Sequence, residues 1–282
     1  MEIIGHQKIV ASLAQKIENQ SYSQAYIFFG PEGVGKHFLA ENFARGIIGG
    51  GQAELDILRV SPEREEKKGV IKEKEISVDQ IKEKQKELAT FPYSGNAKFL
   101  IVDDADRMTI KAQNAMLKTI EEPNSTAVII LIVSRLEKIL PTVKSRCQII
   151  NFNLVSQDDM RKYFLDQKLA PNQELIDFSM GRPGMMLAMM EDPEKIEWYR
   201  NARKKMESVL NGGMNVRMKV AEELSKNVPE ALESAHFWLW LLEKSGNIQN
   251  ILRAEKIKEM GDKLKNTNVN ARLLMENTFL NL

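Results

Sequence analysis

The sequence has a single cysteine, Cys147, among 282 residues. One thiol excludes an internal disulfide framework and any cysteine-rich zinc site. Excess charge of either sign is also missing: 40 Lys and Arg against 39 Asp and Glu leave +1. A dedicated polyelectrolyte binder would carry a large basic surplus, so any nucleic-acid contact must come from a local patch. No apolar run is long enough to span a bilayer, so no membrane partner is expected. The start, MEIIGHQKIV, lacks the basic residues and apolar block of a secretion signal. A cytoplasmic protein is the simplest expectation. The 43% hydrophobic and 28% charged residues are ordinary for a globular chain long enough for more than one domain.

Apolar spacing predicts a helix from Gln7, with Ile9, Val10, Leu13 and Ile17 on one side. QAYIFFG then reads as a buried strand and GKHFLAENFARGII as a helix, half of a βαβ unit. A short strand is expected at Ile57 to Val60, followed by a charged run from Glu63 to Glu75 read as a solvated loop. Ser77 with Gln80 has capping-box spacing for a helix to about Thr90. KFLIVDDAD is a second strand ending in acids, and TIKAQNAMLKTIEEP is a helix capped by Thr109 and stopped by Pro123. AVIILIVS is a third strand, and LEKILPTVKSRCQIINFN gives a short helix, a turn and a last strand. Helices alternating with short apolar strands predict a parallel sheet covered on both faces, an α/β domain over 1–153. Beyond Asn153 the pattern is helical, with breaks at Pro171, GRPG, Pro193 and NGG. It divides into a small helical domain, 154–192, and an all-α domain, 193–282. Trp198, Trp238, Trp240 and the MMLAMM run are read as packing residues.

Three motifs carry chemistry. GPEGVGK supplies Gly30, Gly33, Val34, Gly35 and Lys36 of a GxxxxGK phosphate loop, between a strand and a helix as that motif requires. Its amides would face phosphate at the positive helix end, and Lys36 would neutralise the outer phosphates. His37 stands where a Ser or Thr hydroxyl would help hold Mg²⁺. An imidazole replaces that hard oxygen poorly, and a capping or packing role for His37 is preferred to metal ligation. In FLIVDDADRM, Asp103 occupies the strand-end position that would hold Mg²⁺, while Asp104 occupies that of the water-orienting Glu. One methylene less sets the Asp104 carboxylate back by about 1.5 Å, and a shift of that order costs about a hundredfold in rate. Strand-end solvation is the bland reading of these acids. In PTVKSRCQ, Arg146 follows Ser145 at a helix end, where an arginine reaches a neighbouring subunit or makes an ordinary surface ion pair. Cys147 is read as a small packed residue, since no histidine partner is identifiable.

QAYIFFGPEGVGK, FLIVDDADRMTIKAQNAMLKTIEEP and LPTVKSRCQ, in that order, resemble the AAA+ clamp-loader family of DNA replication. Within it, the chain is most similar to the delta-prime group of bacterial DNA polymerase III. The resemblance covers about residues 1–190 and the NARLLMENTFLNL ending. It implies a P-loop AAA+ sheet domain, a helical lid and an oligomerising collar. It implies a stator role in a hetero-pentamer with gamma/tau motor subunits and a delta subunit, acting through the complex on a sliding clamp and primer–template DNA. The location implied is cytoplasmic, at the replisome and nucleoid. Arg146 takes the place of an arginine finger offered in trans. Ser134 and Arg182 match sensor positions. The implied nucleotide site is degenerate: no cofactor is required, and ATP or ADP would be held without firm Mg²⁺ binding. Many relatives carry four zinc cysteines after the loop helix; GIIGGGQAELD has none, so no zinc is expected. The alternatives are an active ATPase, either a motor subunit or one like the small subunit of replication factor C, and a stand-alone DNA-binding AAA+ module.

Overall fold

Unbroken apolar runs place most strands in the interior, buried on both sides. The computed structural model describes residues 3–49, 53–67, 70–93 and 96–282. Helix α1 (Gln7–Glu18) precedes β1 (Ala25–Phe29), α2 (Lys36–Ile48) and β2 (Ile57–Val60). Next come β3 (Arg64–Lys67), β4 (Val70–Glu73), α3 (Val78–Leu88), β5 (Lys98–Val102) and α4 (Ile110–Glu121). The strand β6 (Ala127–Val133), a one-turn α5 (Pro141–Lys144), β7 (Gln148–Asn151) and α6 (Gln157–Asp166) follow. The main sheet has the order β2-β5-β6-β1-β7 and is parallel throughout.

Alternate residues of each strand point to opposite layers. Ile27, Leu100, Val102, Ile129 and Leu131 pack with Ile81 and Leu88 of α3 and Met116 and Ile120 of α4. Tyr26, Phe28, Phe99, Ile101 and Ile130 pack with Leu39, Phe43 and Ile48 of α2 and Leu13 of α1. The result is three layers, helices on both faces of one sheet, as the alternation of elements requires. The caps expected from sequence are present. Ser77 and Gln80 form a reciprocal capping box, and Thr109 Oγ1 accepts from the Ala112 amide.

One expectation is corrected. The run from Glu63 to Glu75 is not all loop: β3 and β4 form an antiparallel ribbon in which Arg64 stands opposite Glu73 and Glu65 opposite Lys72. Antiparallel segments so near in sequence pair through their backbones, which a charge-rich stretch does not prevent. Lys68 and Gly69 of this run, and Gly50 to Gln52 of the segment read for zinc cysteines, lie outside the described residues.

The chain divides into two compact units. The first holds residues 1–171 and 181–184, and the second holds 172–180 and 185–282. Of the helices expected over 154–192, α6 lies in the first unit. Helix α7 (Gln173–Phe178) lies in the second, as does α8 (Pro183–Glu191) beyond Gly184. The second unit continues with α9 (Pro193–Asn211), α10 (Met214–Ser225), α11 (Val228–Lys244), α12 (Ile248–Asn266) and α13 (Ala271–Leu280). Its centre is aromatic. Phe237 meets Phe178 and Tyr199 edge-on, and Trp238 lies against Phe279 while its Nε1 donates to the Ala202 carbonyl at 2.8 Å.

Candidate functional site

Strand β1 is flanked by β6 and β7, not by its successor β2. The chain leaves its carboxyl end at a switch point, where open α/β sheets form a ligand crevice. The loop Gly30–Gly35 fills that place. Gly30 is required by close approach: a Cβ there would overlap the carbonyl oxygen of Phe152 and lie 2.9 Å from its Cβ. Gly35 is required by conformation, since it caps α2 with φ 99°. Among the described residues, the amides of Glu32, Gly33, Val34 and Gly35 donate to no group of the chain. Orphan amides at a helix start fit a phosphate.

Lys36 is buried, and its Nζ donates to the carbonyls of Gly30 and Pro31, the latter at 2.8 Å, and to Ser134 Oγ at 3.1 Å. Burial pushes its pKa down, against the attraction of Glu32, Asp103, Asp104 and Asp106. The ammonium thus closes the loop on itself and ties it to the end of β6.

His37 neither caps the helix nor stands alone. Its Nδ1 is 3.1 Å from Asp103 Oδ2, and its Nε2 is 3.5 Å from Glu41 Oε1. The Asp103 hydrogen bond raises the His37 pKa, with burial opposing. Burial alone would push Asp103 up; the His37 contact outweighs it and holds the carboxyl below its ordinary value. Glu41 also receives Arg59 at 2.6 Å, and Arg59 and Arg45 both hold Glu54. The positions that would ligate Mg²⁺ therefore hold each other. A nitrogen donor replaces the hydroxyl, and the carboxylate is engaged, so this donor set does not fit firm Mg²⁺ binding. Asp104 sits beside it with φ 46° and begins the turn that carries Asp106.

Several residues here were not singled out in the sequence. Asp106 is buried, with Oδ1 accepting from the Ser134 amide at 3.2 Å and Oδ2 from Arg135 Nε at 2.8 Å. It fixes the serine that receives Lys36. The only signal was a third acid in DDAD. His6 Nε2 lies 3.0 Å from the Val34 carbonyl oxygen, with burial lowering its pKa. Gly184, the second glycine of GRPG, donates its amide to the Gly33 carbonyl at 2.8 Å, which brings the Arg182 segment to the loop. No spacing rule connects these distant positions.

Arg146 is placed elsewhere. β7 runs parallel to β1 with Gln148 beside Tyr26 and Asn151 beside Phe29. Arg146 precedes β7, whereas the loop follows β1, so the two lie at opposite ends of the sheet. A strand of that length separates them by on the order of 15 Å, beyond the reach of an arginine side chain. Its backbone is anchored by Cys147, which packs against the core and whose thiol is pushed up to about 12 by burial. That thiol is inert at neutral pH. The guanidinium is half-exposed. Its Nε meets Glu121 Oε1 at 2.7 Å, and Nη1 donates to the Thr142 carbonyl at 3.0 Å and Ser145 Oγ at 3.3 Å.

The family model described as "DNA polymerase III, delta subunit" matches residues 5–156, more than half of the chain. The chain belongs to that family. It is an AAA+ clamp-loader protein close to delta-prime. DNA polymerase III subunit delta' of Pseudomonas aeruginosa is 31% identical over 144 residues, 45% of this chain and 42% of that protein. The replication factor C small subunit of Methanococcus vannielii is 30% identical over 164 residues, 57% and 48% of the two chains. Subunit delta' of Bacillus subtilis is 27% identical over 173 residues, 58% and 53%. The chain spans about half the length of the curated relatives it matches. A DNA polymerase III gamma subunit-related protein of Thermotoga maritima has the same fold, with TM-score 0.57 at 19% identity over 96% of this chain and 97% of that one. Among the described residues no helix is long and apolar enough to cross a membrane.

Proposed function

We propose that this chain is the delta-prime stator of a DNA polymerase III clamp loader. It would assemble with gamma/tau motor subunits and a delta subunit, and help place a sliding clamp on primer–template DNA. Residues 193–282 would form the oligomerising collar, and 154–192 the lid. Arg146 would serve the ATP site of the adjacent motor subunit, while the chain's own loop would do little or no chemistry.

The observation that carries this reading is the placement of Arg146 at the end of the sheet opposite the loop. An arginine that cannot reach its own phosphate site, yet is exposed beside a helix end, is suited to a neighbour's. The His37–Asp103 contact supports the quiet pocket. The loop amides and Lys36 would hold ATP or ADP, Ser134 and Arg182 stand in the sensor positions, and no cofactor or zinc is required. The resemblance to the small subunit of replication factor C favours the competing reading, an active ATPase.

The test is to purify the chain, measure its ATP turnover with and without Mg²⁺, and mix it with the motor and clamp-opening subunits. Negligible turnover alone and a stable complex that turns over ATP with primed DNA are expected. Brisk Mg²⁺-dependent hydrolysis by the isolated chain would select the active ATPase instead.

A further inference from the structure

The carboxylate at the end of α4 lies in the TIKAQNAMLKTIEEP stretch but carries none of the roles read from sequence, yet it makes the shortest contact to Arg146. Glu121 Oε1 takes Nε at 2.7 Å. The Thr142 carbonyl and Ser145 hydroxyl take Nη1 at 3.0 and 3.3 Å. Among the described residues, Nη2 meets no acceptor of the chain. The planar guanidinium is therefore held at Nε and at Nη1, which lie on different edges, and Nη2 is the nitrogen left without an acceptor. A free arginine side chain samples many rotamers; one gripped at Nε and Nη1 has lost most of that freedom in advance.

We propose that Glu121 is a positioning residue that braces the Arg146 guanidinium so that Nη2 remains available to the neighbouring subunit's nucleotide. This rests on the arginine-finger reading of Arg146. The chemistry needs such a brace because the donor must be in place where phosphate charge develops, and disorder at that point lowers the rate without altering ground-state affinity. The placement suits it. Glu121 ends α4 and Thr142 lies in α5, so two helix ends and the partly buried Cys147 fix the base of the arginine. Because the carboxylate and the guanidinium are both exposed by more than a third, the contact adds little to folding. Glu121→Ala should therefore fold as the parent does.

The test uses the assembled complex with primed DNA and clamp. ATP turnover is measured across nucleotide concentration for the parent, Glu121→Ala, Glu121→Gln, Arg146→Ala and the double variant. Glu121→Ala should lower kcat about threefold to tenfold with KM unchanged, as expected for loss of pre-organisation. Glu121→Gln keeps an acceptor oxygen and should fall in between. The Arg146→Ala background should abolish the effect of Glu121→Ala, because the brace has nothing left to hold. If Arg146→Ala lowers turnover but Glu121→Ala does not, or raises it, the brace is wrong and the finger stands. A further loss from Glu121→Ala in the double variant also overturns the brace. If Arg146→Ala itself leaves turnover unchanged, the finger reading fails and the brace falls with it.

Discussion

Nδ1 of His37 lies 3.1 Å from Oδ2 of Asp103, so two positions that would share a metal in a working site share a hydrogen bond instead. The imidazole offers nitrogen where Mg²⁺ favours oxygen, and it engages the Asp103 carboxylate.

Replacing His37 by Ser should release Asp103 and restore a hydroxyl. Binding of ATP should become Mg²⁺-dependent, gaining about 1 kcal/mol, or roughly fivefold, when the ion is present. Hydrolysis should remain slow, because Asp104 still stands in place of the longer acid. Titration of a fluorescent nucleotide with and without Mg²⁺ checks this; identical affinities in the two conditions would count against it.

The same contact predicts a pH dependence of stability. His37 has a raised pKa, so its contribution is complete below its ordinary 6.5 and disappears as pH rises through the raised value. Asp103 is held low, so its contribution is complete above the ordinary 3.8 and is lost as pH falls through the depressed value. Urea midpoints of the parent and His37→Ala should differ most between those limits and converge toward alkaline pH. A constant difference up to pH 9 would contradict the pairing.

The glycine-rich loop, the strand-end acids and Arg146 could be singled out in the sequence because each sits at a short fixed spacing beside a helix or strand end. A parallel sheet was legible from element alternation, though not the order of its strands, and the Ser77 and Thr109 caps from local side-chain chemistry. The charged ribbon was not, since the sequence of β3 and β4 has no apolar alternation. The contacts of Asp106 to Ser134, Gly184 to Gly33 and Glu121 to Arg146 were illegible for another reason. They join residues brought together only by the fold, and each partner alone reads as an ordinary polar or turn residue.

Asp106 is the buried support of the Lys36 anchor. Asp106→Ala removes the acceptor of the Ser134 amide and of Arg135. Leaving that amide unsatisfied should cost about 1–3 kcal/mol. Urea unfolding of the purified chain measures it, and a change within about 0.5 kcal/mol would show that these contacts do not support the fold.

Two glycines should respond with opposite sign. Gly30→Ala drives a methyl into the Phe152 backbone and should destabilise by about 3 kcal/mol or more. Gly261, inside α12, has nothing within 4 Å of an added Cβ. Gly261→Ala should therefore be stabilising by up to about 1 kcal/mol. Thermal melts of the two variants, compared with the parent, read the contrast; equal losses would contradict the close approach at Gly30.

The most direct measurement is DNA-stimulated ATP turnover by the assembled complex carrying Arg146→Ala. A finger working in trans predicts a fall of about tenfold or more at the site it serves, with the isolated variant folded as the parent. Turnover equal to that of the parent complex would contradict the account.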